Sequence, residues 1–137
     1  MANTYSITAA DLVSGLIPQA EYDRCLANPG GDEPATLDGV VGQAEGDIHS
    51  RAGAAPVGTL AITIFRTQVL TCTLYWLHAR RAQQDNGKIP EHVKSAYDAV
   101  IAWATDAGRN LIAAEGMTAA GGGISAATLD FDPQEGL

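Results

Sequence analysis

Residues 60–84, LAITIFRTQVLTCTLYWLHARRAQQ, decide the fold. Their composition pulls two ways. Ile62, Thr63, Ile64, Thr67, Val69, Thr71 and Thr73 are β-branched and suit a strand, yet neither Gly nor Pro interrupts the run before Gly87. Strands rarely exceed about ten residues, so the uninterrupted length selects a helix, about 38 Å long at the α-helical rise. On that helix Ile62, Phe65, Val69, Cys72 and Trp76 make one apolar stripe, and Leu60, Ile64, Thr67, Leu70 and Leu74 make a second. A helix apolar on two faces is expected at the centre of a bundle. The same length would suit a membrane span, but Arg66 and Gln68 fall near the middle, and an arginine there costs about 2.5 kcal/mol or more on insertion scales. The reading is therefore a core helix with no membrane partner. Arg66 must then pair within the fold, snorkel along its own stem, or face a partner subunit.

Downstream, Arg80 and Arg81 close the helix where cations complement its dipole, and Asp85-Asn86-Gly87 supplies a turn. Pro90 and Glu91 open a further helix, on which Val93, Tyr97, Val100, Ile101 and Ala104 form the buried face, continuing to Leu111 and Ile112. The two helices read as an antiparallel hairpin. Upstream, Thr36 can cap a helix carrying Leu37, Val40, Val41, Ala44 and Ile48 at intervals of three and four. Gly39, Gly42 and Gly46 on the same segment each cost about 1 kcal/mol against Ala, so they signal either close approach of another backbone or a weak helix. Thr8 with Asp11 has the form of a capping box for a short first helix. Pro18 then starts a second short segment, with Ala20, Tyr22, Cys25 and Leu26, that stops at Asn28-Pro29-Gly30-Gly31.

The fold class is thus all-α: a small helical bundle with a long central helix in an antiparallel hairpin, followed by an extended tail. Its core is expected from Ile48, Phe65, Val69, Leu74, Trp76, Tyr97, Ile101 and Trp103. At 137 residues the chain has the length of one domain. Residues 1–115 form the helical part, and residues 116–137 a Gly-rich acidic tail with Gly121-Gly122-Gly123, no Lys or Arg, and acids at Asp130, Asp132 and Glu135. The alternation Leu129, Asp130, Phe131, Asp132 suits a short strand that would need a partner outside the tail. The chain carries 8 basic against 16 acidic residues, a net charge of −8, which argues against wrapping nucleic acid or anionic membrane. The opening MANTYSITAADLVSG has neither the basic nor the apolar region of a secretion signal. A reducing cytoplasm is expected, with Cys25 and Cys72 as small core residues.

Catalytic signals are sparse. Gly121-Gly122-Gly123 lacks the lysine and the strand-to-helix setting of a phosphate cradle. Asp47, His49 and Arg51 are the densest polar cluster, but residues two apart on a helix diverge by about 200°, so one metal cannot readily take both Asp47 and His49. His78 and His92 flank the hairpin turn and could meet across it. Cys72 has no neighbouring histidine in sequence to activate it. Arg80, Arg81, Lys88 and Lys94 gather half of the basic residues around one turn, either as a docking patch for an acidic partner or as a solvated face. Neither a cofactor nor a metal is expected.

Four segments, taken in order, resemble a known family. They are Tyr5-Ser6-Ile7-Thr8-Ala9-Ala10-Asp11-Leu12; Ala44-Glu45-Gly46-Asp47-Ile48-His49-Ser50-Arg51 with the Pro56-Val57 turn; the long helix up to Arg81; and Lys94-Ser95-Ala96-Tyr97-Asp98-Ala99-Val100-Ile101-Ala102-Trp103. This series resembles the small helical head-tail connector, or neck adaptor, proteins of tailed bacteriophages, especially the Mu-like group. The resemblance implies a non-enzymatic virion protein that assembles with itself into a ring, commonly of twelve copies. Such a ring sits beneath the portal protein, extends the DNA channel without binding DNA specifically, and meets a downstream neck, stopper or tail-terminator protein. Its place would be the virion neck, reached from the host cytoplasm. In that setting Ile124, Leu129 and Phe131 are expected to form an arm on a neighbouring subunit. Two rival readings stand beside it: a free-standing cytoplasmic binding or regulatory module docking through Arg80, Arg81 and Lys94, and a small enzyme using Asp47, His49 and His78.

Overall fold

The computed structural model describes residues 4–27, 35–85 and 87–114. Among these residues every regular element is a helix: α1 (Ala9–Val13), α2 (Gln19–Leu26), α3 (Leu37–Ala52), α4 (Thr59–Asp85) and α5 (Glu91–Trp103). A π-helical turn, Ala104–Gly108, prolongs α5, and residues 109–114 return to α-helix. The all-α bundle expected from the sequence is the observed architecture. The proposed tail and the residues Ile124, Leu129 and Phe131 lie outside the described residues.

Local chemistry sets the ends of these helices. Asp11 Oδ2 accepts from the Thr8 main-chain N–H at 2.8 Å and from its hydroxyl at 3.1 Å, which fixes the entry to α1. The Thr36 hydroxyl accepts from the Gly39 N–H at 3.1 Å, satisfying one of the orphan donors of α3. That helix ends at Gly53, whose φ of +88° is the left-handed conformation glycine adopts without a Cβ penalty. Gly87 N–H closes the end of α4 on the Ala82 carbonyl at 3.0 Å. Pro90, which has no N–H to leave orphaned, precedes α5.

Helix α4 is the common partner, with α2, α3 and α5 packed on it. Contacts of Phe65 with Trp103 and of Tyr75 with Tyr97 run in opposite chain directions, so α4 and α5 are antiparallel. One buried cluster joins Tyr5, Val41, Ile48, Phe65, Val69 and Val100. A second joins Leu12, Ile17, Tyr22, Cys25, Val40 and Leu77. Leu37, Leu70 and Trp76 pack against both clusters and make them continuous. Full burial of a side chain such as Phe65 or Leu77 stabilises by about 2–3 kcal/mol before entropy is counted.

The structure adds detail to the sequence expectations. Ile48, Phe65 and Val69 are fully buried; Leu74, Trp76, Tyr97 and Trp103 are half-buried and pack against the core clusters, and Ile101 is half-buried. Leu77 belongs to neither stripe read from the sequence and is fully buried, because α1 and α2 cover a third side of α4. The second stripe is incomplete: Leu60 is 71% exposed and Thr67 is exposed, since no described element covers that side of the N-terminal half of α4. The α3 glycines also differ. A Cβ at Gly42 or Gly46 would meet nothing within 4 Å, and one at Gly39 would meet only the Thr36 hydroxyl, so among the described residues no other backbone approaches them that closely. Helix α4 is long and apolar enough to cross a membrane by length and composition alone, a property that core helices share. Arg66, the residue that argued against a span, is satisfied inside the fold.

Candidate functional site

Three polar assemblies hold the helices together, and they account for most of the residues singled out in the sequence. The first centres on Asp47. Its Oδ2 accepts from Trp76 Nε1 at 2.8 Å and from the Tyr97 hydroxyl at 2.9 Å, so one carboxylate on α3 binds both α4 and α5. Tyr97 stacks on Tyr75 with ring centroids 3.9 Å apart, and Trp76 meets both rings edge-on. Burial, followed by the hydrogen bond to Asp47, pushes the Tyr97 hydroxyl well above its ordinary range. Sequence reasoning missed this junction, because its partners lie 29 and 50 residues away from Asp47.

The second assembly pins the N-terminal segment. His49 Nε2 is 2.5 Å from the Tyr5 hydroxyl, and the His49 ring lies between those of Tyr5 and Phe65. Burial holds His49 below the ordinary histidine range, so it is neutral at pH 7. Arg66 donates from Nε to the Tyr5 carbonyl at 3.0 Å and from its terminal nitrogen to Asp11 at 2.9 Å. Of the three fates open to Arg66, pairing within the fold is the observed one.

The third assembly lies where α2, the C-terminal end of α4 and the start of α5 meet. Arg80 Nε donates to the Cys25 carbonyl at 2.9 Å, Gln84 to the Ala27 carbonyl at 2.6 Å, and Arg81 forms an ion pair with Glu21 at 3.0 Å. Beside them is an open cavity of about 310 Å³ lined by Glu21, His78, Arg81, Lys88 and Pro90, among others. His78 is held below the ordinary histidine range by burial and by the neighbouring His92, against an opposing pull from Glu21.

The sequence-derived basic patch therefore divides. Arg81 and Lys88 share the cavity, Arg80 is turned to the α2 backbone, and Lys94 pairs with Asp98 one turn along α5 at 3.2 Å. Asp47, His49 and His78 are not brought together: the first two hold different elements and the third lines the cavity. Among the described residues no group of three or more His, Cys, Asp or Glu converges as metal ligands would. Both cysteines are buried thiols, and burial pushes Cys25 up to about 11 and Cys72 up to about 12. Glu21 was the residue least legible in the sequence, since its partner Arg81 is 60 positions away.

Comparisons with protein-family models, with curated proteins and with solved structures found no match for this chain. What the arrangement can do is therefore argued from its own groups. They offer a helical block, a cavity at one end of α4 lined by Glu21, His78, Arg81 and Lys88, and at the other end an exposed Leu60 that no described element covers.

Proposed function

We propose that this chain is a structural virion protein: a head-tail connector that forms a ring, commonly of twelve copies, beneath the portal of a tailed phage. The ring prolongs the DNA channel and offers its far face to a neck, stopper or tail-terminator protein. One observation carries this reading beyond the resemblance. The polar residues that a small enzyme would need, Asp47 and His49, are each engaged in holding elements together, while Leu60 of α4 is covered by none of the described elements. Exposed apolar side chains such as Val57 and Leu60 suit a protein completed by neighbouring copies. The net charge of −8 suits a conduit, because an acidic wall repels passing phosphates rather than trapping them.

The test is assembly with the portal protein of the same genome, followed by electron microscopy. A ring of density below the portal, missing when the chain is omitted, is the expected result. Removal of everything after Glu115 should leave helicity unchanged and abolish that density. Rings that form normally from the truncated chain refute the role given to the tail, and a basic inner wall refutes the role given to the charge. A second reading, a free-standing binding module, draws on the cationic cavity at His78, Arg81 and Lys88. It predicts a binding partner in the cytoplasm and no copies in particles.

A further inference from the structure

Residues 4–7 lie against α3 and α4 without belonging to any helix, yet Tyr5 and Ile7 are only 2% and 3% exposed. Ser6, between them, has a φ of +54°, the left-handed region that a residue with a Cβ enters only at a cost. Three contacts hold the segment from outside. The Tyr5 hydroxyl meets His49 Nε2 at 2.5 Å, the Tyr5 carbonyl accepts from Arg66 Nε at 3.0 Å, and Thr4 is bonded to the Glu45 carboxyl. The segment is therefore a strap, strained at its middle and pinned to its neighbours.

Its boundary with the bundle falls at Thr8. Tyr5 and Ile7 pack in one buried cluster, whereas Leu12 of α1 packs in the other. Helix α1 also has anchors of its own: the bond from the Thr8 N–H to Asp11 at 2.8 Å, and the ion pair of Asp11 with Arg66 at 2.9 Å. Removing the strap thus leaves α1 in place.

His49 is the titratable group beneath the strap, with its ring 5.8 Å from that of Tyr5 and 6.3 Å from that of Phe65. Whichever neutral tautomer is present, protonation leaves Nε2 a donor only and sets a charge among aromatic rings under a side chain that water hardly reaches. Burial already holds His49 below its ordinary value of 6.5, so the strap's hold is full above that value and is lost as pH falls through the lowered one. Three charged groups face this junction. Arg66 of α4 is a permanent cation, and Asp11 of α1 is lowered from 3.8, below the range in question. Glu45 of α3 is raised from 4.5 by burial, which favours the closed strap as pH falls and so acts in the opposite sense and at lower pH.

We propose that residues 4–7 form an acid-released strap: protonation of His49 frees Tyr5 from α3 and α4 while the helices stay folded. Release uncovers part of the cluster that contains Ala44, Ile48 and Phe65, giving an apolar surface that is available in mild acid and shut at neutral pH. The proposal stands apart from the ring reading, and its test needs no particle.

The test uses the full chain carrying Ile7→Cys, labelled with 4,4′-dithiodipyridine. Cys25 and Cys72, both buried in the bundle, serve as internal references for global unfolding. The introduced thiol should react about tenfold or more faster than these two, because the strap opens without the helices. Corrected for the reactivity of a free thiol peptide at each pH, its rate should rise about threefold or more from about pH 7.5 to about pH 5.5. Adding His49→Gln should flatten that rise, and adding Glu45→Gln should leave it. Three thiols reacting together would show global unfolding and overturn the proposal. A corrected rate that ignores pH in the Ile7→Cys chain refutes it without any further variant, and so does a rise that survives His49→Gln or vanishes with Glu45→Gln.

Discussion

Replacing Asp47 by alanine should loosen three helices at once. The carboxylate accepts from Trp76 and Tyr97 through a single oxygen, at 2.8 and 2.9 Å, and so ties α3 to both α4 and α5. Hydrogen bonds to an ionised group contribute about 1.5–3 kcal/mol each, but all three residues here are half-buried, so water recovers part of the loss. The net cost for Asp47→Ala is about 3 kcal/mol. With a urea dependence of about 1.5 kcal/mol per molar, the unfolding midpoint falls by about 2 M. Asp47→Asn keeps an acceptor and loses only the charge, so its midpoint should lie between the two. A double-mutant cycle pairing Asp47→Ala with Tyr97→Phe should give a coupling of about 1 kcal/mol or more, since the two changes remove one shared bond. Asp98→Ala, which breaks only the exposed pair with Lys94, is the control and should leave the midpoint unchanged. A midpoint for Asp47→Ala within about 0.3 M of the parent, or strict additivity in the cycle, would refute the reasoning.

Three further predictions concern pH, glycine and thiols. His49 and His78 titrate below their unfolded value of 6.5, so the stability they contribute is full above that value and is lost as pH falls through their lowered folded values. The urea midpoint should therefore drop between neutral pH and about pH 5, and His49→Gln, which keeps an acceptor for Tyr5, should flatten that slope. Asp11, lowered first by its Thr8 backbone bond and helped by Arg66, acts in a lower window: its share is lost as pH falls below 3.8, and Asp11→Asn should remove it. Gly42→Ala and Gly46→Ala, made in open space on α3, should each raise stability by about 0.5–1 kcal/mol, whereas Gly53→Ala at φ +88° should lower it by about 1 kcal/mol. Cys25 and Cys72, buried and held as thiols, should resist iodoacetamide at pH 8 in the folded protein and react fully in urea, and rapid labelling of the folded chain would contradict their placement.

Much of the fold could be read from local signals. Thr8, Thr36, Gly53, Gly87 and Pro90 act within a few residues of themselves, and each helix end they mark is found where their chemistry places it. The length of residues 60–84 without a breaker overrode seven β-branched residues, because helix α4 gains its stability from packing on several sides rather than from propensity. The second stripe was misread for a related reason. Periodicity shows which residues share a face but not whether a neighbour covers it, and beside Leu60 none of the described elements does. The glycines of α3 left two alternatives, a close backbone approach or a weak helix, and the first is not found among the described residues. Asp47, Glu21 and Arg109 were illegible in their roles, since each reaches a partner 29 to 60 positions away and nothing in spacing marks such pairs. The basic patch was half legible: its residues cluster as the hairpin predicts, but Arg80 is consumed by the α2 backbone.

The central claim, a ring below a portal, is met most directly by counting. Particles purified from the source and analysed by quantitative mass spectrometry give the ratio of this chain to the portal protein. A ratio near one to one is the prediction, as for two rings of equal copy number sharing one axis. Absence of the chain from intact, DNA-filled particles would contradict it and leave the cytoplasmic binding module, with its cavity at Lys88 and Arg81, as the reading to pursue.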